Sequence, residues 1–173
     1  VARVDEAMKP IPGTEQTVEC DLLVLAVGLI PENELSRAAG IEIDPRTRGP
    51  VLDDAFMTSA PGVFACGNVA VVFDLVDYVS QSGEIAAQGA VDFLSGRLAQ
   101  PAQYLPVAVR DNVSFVVPQR LRPECGKAAF FLRVKQPERA ATLICAGADG
   151  ELLQKRCRYI APPEMLAFEV DKC

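Results

Sequence analysis

Two residues at the end of one short apolar run are best placed to bind a ligand. They are Gly67 and Asn68, which close the stretch Thr58-Ser-Ala-Pro-Gly-Val-Phe-Ala-Cys-Gly-Asn. Pro61 and Gly62 supply turn geometry. Val63, Phe64, Ala65 and Cys66 are wholly apolar, which predicts a strand covered on both faces. Gly67 removes a side chain where that strand runs out. Asn68 places an amide there that can give or take a hydrogen bond without adding charge. In open α/β sheets, ligands bind at that end of the strands.

Other chemistries find no residues to carry them. The chain has no histidine, so a Ser-His-Asp or Cys-His pair is ruled out. Ser82 and Ser95 have no base nearby in sequence. Asp53 and Asp54 are adjacent, and adjacent residues of a strand face opposite ways, which argues against shared acid/base work. No Gly-Lys-Ser phosphate loop occurs. The cysteines at 20, 66, 125, 145, 157 and 173 are widely spaced, with no Cys-x-x-Cys. That excludes a thioredoxin-type centre and argues against zinc. Reduced, mostly buried thiols are expected. The chain is expected to hold no catalytic residue and no metal site.

A chain of 173 residues can form one domain or two small ones. Its net charge of −6 argues against nucleic acid and against an anionic membrane surface. Its apolar runs are too short for membrane insertion, and no signal peptide opens it, so a cytoplasmic location is expected. The first residue is Val1 rather than Met, in a polar stretch, which reads as a processed or excised piece of something longer.

Residues 1–20 read as the end of a strand pair and a loop, with a turn at Pro10-Ile-Pro-Gly13. Residues 21–28 form a continuous apolar run, a buried strand ending in Gly28. Pro31 and Glu32 open a short helix that Gly40 closes. Short strands at 41–43 and 49–53 flank a turn at Asp44-Pro45. A helix from about Tyr78 to Leu98 follows, with Asp77 as its N-cap. Gly83, Ala86, Ala87, Gly89 and Ala90 give that helix a small-residue surface, suited to helix–sheet packing or to close approach of a cofactor.

After a linker at 99–106 the character becomes all-β. Strands are expected at 107–118, 128–134, 141–146, 152–159 and 166–170, with a hairpin signal at Asp149-Gly150. They suggest a small sandwich-like or barrel-like module at 107–173. Arg120, Arg122, Lys127, Arg133, Lys135, Lys155, Arg156 and Arg158 alternate with apolar residues and read as a solvated sheet face, with a phosphate or partner site as the alternative.

The 58–68 stretch resembles the second flavin-binding motif of the two-dinucleotide-domain flavoprotein oxidoreductases, the pyridine nucleotide-disulfide oxidoreductase type. Their pattern is Thr-x-x-Pro-Gly-Val-Tyr-Ala-x-Gly-Asp, and its acid holds a ribityl hydroxyl of FAD. Here Asn68 stands in that place. The run Cys20-Asp-Leu-Leu-Val-Leu-Ala-Val-Gly-Leu-Ile-Pro-Glu-Asn33 resembles a second landmark of the family, the strand that returns the chain from the NAD(P)H domain to the FAD domain. The form Gly-Asn-Val, then Phe73-Asp-Leu-Val-Asp-Tyr-Val-Ser80, is similar to a bacterial branch associated with anaerobic glycerol-3-phosphate dehydrogenase-like partners. Histidines of that branch near 70–73 are replaced here by Ala70, Val71, Val72 and Phe73.

The resemblance implies an α/β fold for 1–98, part of a Rossmann-like FAD/NAD(P)-binding domain, ahead of the small all-β module. It implies FAD in the intact protein, held on the ribityl side by Gly67 and Asn68, with Gly28 nearby. The helix start at Tyr78, Val79 and Ser80 would face the flavin ring, where free N–H groups and the helix dipole favour negative charge. NAD(P) would bind through an upstream domain, since no Gly-x-Gly-x-x-Gly occurs in this chain. Such a piece would be inactive alone. It would pair or exchange segments with a second copy, or expose an apolar sheet edge. The alternative reading is a docking or scaffold module for a partner dehydrogenase subunit.

Overall fold

The computed structural model describes residues 1–6, 9–25, 28–148 and 150–171. Its element order is α1 (Glu34–Ala38), α2 (Gly67–Ala70), α3 (Val76–Leu94), β1 (Leu105–Pro106), β2 (Val113–Val117), β3 (Arg120–Leu121), β4 (Lys127–Val134), β5 (Glu138–Gly147), β6 (Gly150–Ile160) and β7 (Leu166–Asp171).

The β module is built on β4, whose sequence Lys-Ala-Ala-Phe-Phe-Leu-Arg-Val is apolar on both faces. It pairs antiparallel with β2 on one side and β7 on the other. Side chains alternate along a strand, so its two faces serve two cores. Ala128, Phe130, Leu132 and Val134 point to one cluster, completed by Ala141, Ile160, Leu143 and Leu153 of the β5–β6 hairpin. Ala129 and Phe131 point the other way, into a cluster formed with Leu52, Phe56, Ala70, Val71, Phe73 and Ala86. The sheet is thus sandwiched between the hairpin and the first half of the chain, which explains its near-continuous apolar run.

Phe131 is fully buried in the second cluster. Phe73, Tyr78 and Phe56 meet its ring edge-on at centroid distances of 5.2, 5.6 and 6.3 Å. Phe131→Leu removes these aromatic contacts and leaves part of the site unfilled. The expected loss is about 1.5 kcal/mol, read by chemical denaturation.

Residues 1–98 differ from their sequence-based reading in three respects. The expected buried strand at 21–28 is not covered. Leu22, Leu23, Val24 and Leu25 are each more than 70 % exposed, and Ala26 and Val27 lie outside the described residues. An apolar run signals a need for cover on both faces, and nothing among the described residues supplies it. The expected strand at 63–66 is reduced to one antiparallel bridge, Met57 with Phe64, with Val63 and Cys66 exposed. The 41–43 and 49–53 pair is likewise a single bridge, Ile43 with Pro50. Among the described residues this half therefore holds helices and isolated bridges, with no parallel sheet.

The long helix also begins earlier than its sequence suggests. Leu75 is the N-cap, and Asp77 sits inside the first turn, where its charge suits the dipole. The helix ends at Leu94, ahead of Gly96 with φ +71. Its small-residue surface serves packing at Gly89, where a Cβ would lie 2.6 Å from the Ala55 carbonyl oxygen. The hairpin signal is matched by Gly147 paired with Gly150, although Asp149 itself lies outside the described residues. The thiols are less buried than expected. Cys125 is buried, Cys145 and Cys157 are half-buried, and Cys20 and Cys66 are exposed.

Three basic residues expected on a solvated face turn inward instead. Arg120 Nη2 donates to the Thr58 carbonyl at 3.0 Å and stacks 3.9 Å above the Tyr104 ring. Arg133 Nη2 donates to the Val72 carbonyl at 3.1 Å. Arg122 forks onto Asp54 through Nε and Nη2, at 3.0 and 2.5 Å from Oδ2, and its backbone N–H donates to Oδ1 at 2.8 Å. These bonds tie the β module to the segments on either side of α2.

Asp53, next to that pair, has partners of its own. Its Oδ1 accepts the N–H groups of Ala55 and Met57, each at 3.0 Å. Burial pushes its carboxyl up from the ordinary 3.8, against the lowering pull of those two N–H groups. The folded state therefore holds the proton longer than the unfolded state does. Below pH 3.8 both states are protonated and Asp53 costs nothing. As pH rises from there through the folded value, stability is lost. Asp53→Asn keeps an acceptor for both N–H groups and removes the charge. Thermal melts should show it at least as stable as the parent at neutral pH, with the advantage shrinking in acid. A variant clearly less stable at neutral pH would contradict this.

Candidate functional site

The Gly67–Asn68 corner is held from three sides. Gly67 has φ +60, a left-handed conformation that glycine adopts without steric cost. Its N–H donates to Ser82 Oγ at 2.8 Å, and that hydroxyl donates to the Val79 carbonyl at 2.6 Å. Ser82, fully buried, thereby pins α2 to α3. Asn68 is exposed at the surface. Its Oδ1 accepts the Phe73 N–H at 3.2 Å, which fixes the amide plane. Its Nδ2 has no partner among the described residues and is free to donate to a ligand oxygen.

Asn33 supports the corner from behind. It is buried, and its Nδ2 donates to the carbonyls of Val69 at 3.0 Å and Arg48 at 3.1 Å. Sequence reasoning gave Asn33 no such role. The Pro31-Glu32-Asn33 stretch was its one signal.

The remaining expected site residues are placed as follows. Tyr78 and Val79 pack against the shared core, and their N–H groups bond the Leu75 carbonyl. Val79 also borders the corner, since a Cβ on Gly67 would lie 3.5 Å from its Cγ1. Ser80 is exposed. The open donors of the helix start are the N–H groups of Val76 and Asp77, two residues earlier than expected, and neither is bonded among the described residues. The Asp77 carboxylate shares that turn and opposes an anion there. Gly28 has φ +104 and open space around its Cα. Its neighbour Leu29 lines a cleft together with Val71, just past the corner. Gly67, Asn68 and the helix start are thus brought together, whereas no contact joins Gly28 to them among the described residues.

The pattern of the family described as "Pyridine nucleotide-disulphide oxidoreductase" matches residues 1–90, just over half of the 173. The chain belongs to this family. Its cofactors are FAD and NAD(P), and its members are flavoprotein oxidoreductases. The glutamate synthase [NADPH] small chain of Mycobacterium tuberculosis is 29 % identical over 109 residues, 62 % of this chain and 22 % of that protein. The nitric oxide reductase FlRd-NAD(+) reductase of Aeromonas salmonicida is 44 % identical over 55 residues, 32 % of this chain and 13 % of that protein. The nitrite reductase (NADH) large subunit of Escherichia coli is 32 % identical over 91 residues, 53 % of this chain and 10 % of that protein. The chain thus spans less than a quarter of the length of these relatives. No solved structure matches it. Among the described residues, no helix is long and apolar enough to cross a membrane.

The corner suits a flavin side chain. An unpartnered amide N–H beside a left-handed glycine offers a neutral donor to a sugar-like hydroxyl, with no side chain at Gly67 to block approach. The thiol of Cys66 is exposed and in no disulfide.

Proposed function

We propose that this chain is the C-terminal segment of an FAD-dependent NAD(P)H oxidoreductase of the cytoplasm. Asn68 carries the reading. Its Nδ2 donates to a ribityl hydroxyl, Gly67 lets the ligand approach, and the Val76 and Asp77 N–H groups face the flavin ring. FAD supplies the hydride chemistry when bound. The residues of this chain orient it and exclude water. The glycine-rich loops for the pyrophosphates of FAD and NAD(P) belong to other parts of the parent polypeptide. Those parts, or a second copy of this chain, would cover the apolar run at 22–25.

The similarity of 73–80 to the branch associated with anaerobic glycerol-3-phosphate dehydrogenase-like proteins makes a dehydrogenase subunit a natural partner. The β module would then dock that partner. The relatives' names include NADPH, NAD(+) and NADH, so the family match leaves the nucleotide open.

Asn68→Ala in the parent polypeptide tests the reading. It removes one neutral hydrogen bond, worth about 1 kcal/mol, so FAD affinity should fall about fivefold with the fold intact. Unchanged FAD affinity would refute the assignment. Partner co-purification that survives the same change would favour the docking role for the β module.

A further inference from the structure

A cleft of about 240 Å³ opens where the 28–31 stretch, the 46–48 turn and β4 meet. Arg46, Arg48 and Arg133 line it, together with the apolar side chains of Leu29, Val71 and Phe115. No carboxylate lines it, although the chain as a whole carries a net charge of −6. Among the described residues, none of the three guanidinium groups forms an ion pair. The nearest acid in sequence, Asp44, already accepts the N–H groups of Arg46 and Thr47 through Oδ1, at 2.8 and 2.7 Å.

Arg133 provides the second observation. Its Nη2 is engaged by the Val72 carbonyl, yet its Nε is buried and has no hydrogen-bond partner. A buried unpaired N–H on a cation is costly, which marks this end of the cleft as short of acceptors. Arg48 adds to the pattern. It holds φ +61, where a side-chain-bearing residue is strained, and its carbonyl is fixed there by Asn33. The turn thus keeps an arginine where glycine would fit more easily.

We propose that this cleft binds the phosphate group of a small organic phosphate. Three guanidinium groups oppose the charge of a phosphate dianion, and the forked donors of Arg46 and Arg48 suit its oxygens. Leu29, Val71 and Phe115 offer apolar surface to a carbon-bearing remainder. Asn68 is not among the lining residues, so the site is separate from the ribityl contact proposed above and does not rest on it.

The test is calorimetric titration of the chain at constant ionic strength with inorganic phosphate, phenyl phosphate and phenylacetate. Phenyl phosphate should bind several-fold more tightly than inorganic phosphate, and phenylacetate most weakly. Inorganic phosphate binding as tightly as its ester would identify free phosphate as the source. The double variant Arg46→Gln/Arg48→Gln alters two exposed side chains and should keep the fold. It should weaken phenyl phosphate by at least about tenfold. Arg133→Lys keeps the charge and loses the planar guanidinium, and it should weaken binding less. The proposal is overturned if the parent chain binds no phosphate, if phenylacetate binds best, or if the double variant binds phenyl phosphate as the parent does.

Discussion

Replacing Gly49 by alanine should cost about 3 kcal/mol of stability and disturb the turn that carries Asn68. A Cβ at Gly49 would sit 1.8 Å from the Ala70 carbonyl oxygen, 2.6 Å from its carbon and 2.8 Å from the Val69 carbonyl oxygen. All three atoms are backbone of α2, so no change of rotamer relieves the overlap. The two segments are also tied by Asn33, which bonds the carbonyls of Arg48 and Val69 together. Separating them by the needed distance strains or breaks those bonds. The same shift moves Gly67 against Ser82 and loosens the Asn68 amide. Denaturant unfolding reads the first effect, and FAD affinity of the parent polypeptide reads the second. A Gly49→Ala chain as stable as the parent would show that α2 and the 46–50 turn are not in contact as described.

Removing the Asp54 carboxylate should be comparably harmful. Asp54→Ala leaves the Arg122 guanidinium, whose side chain is 21 % exposed, without its partner, and strips the Arg122 N–H of its acceptor. Breaking a buried pair from one side costs about 3 kcal/mol, because the remaining charge is desolvated and unpaired. The pair holds Arg122, just past β3, against the loop before α2, so its loss should also loosen the β module from the first half. Asp54→Asn should cost less, since it keeps an acceptor for the Arg122 N–H. Equal stability of Asp54→Ala and the parent would mean that the pair contributes nothing to the join.

The β module was legible in the sequence because its signals are local. The apolar run at 128–134 and the turn signal after Gly147 mark a strand and a hairpin without reference to distant residues. Gly67 was legible only as a boundary glycine, since the strand expected ahead of it is reduced to one bridge. What the sequence concealed lies at long range. Arg122 meets an acid 68 residues away, and Arg133 meets a carbonyl 61 residues away. Alternation alone assigned both to solvent. The run at 22–25 shows the opposite limit. Its composition states that cover is needed on both faces, but composition cannot say which residues provide it. Asn33 and Ser82 went unassigned because a buried polar side chain is defined by its partners, and those are 15 to 36 residues distant.

The most direct test of the account is a visible absorbance spectrum of the parent polypeptide that carries this segment. It should be taken after FAD is added and the excess removed, and again after anaerobic addition of NADH and of NADPH. The account predicts a bound-flavin band that bleaches with one of the two nucleotides and is diminished by Asn68→Ala. A polypeptide that retains no flavin, or whose flavin neither nucleotide reduces, would contradict it.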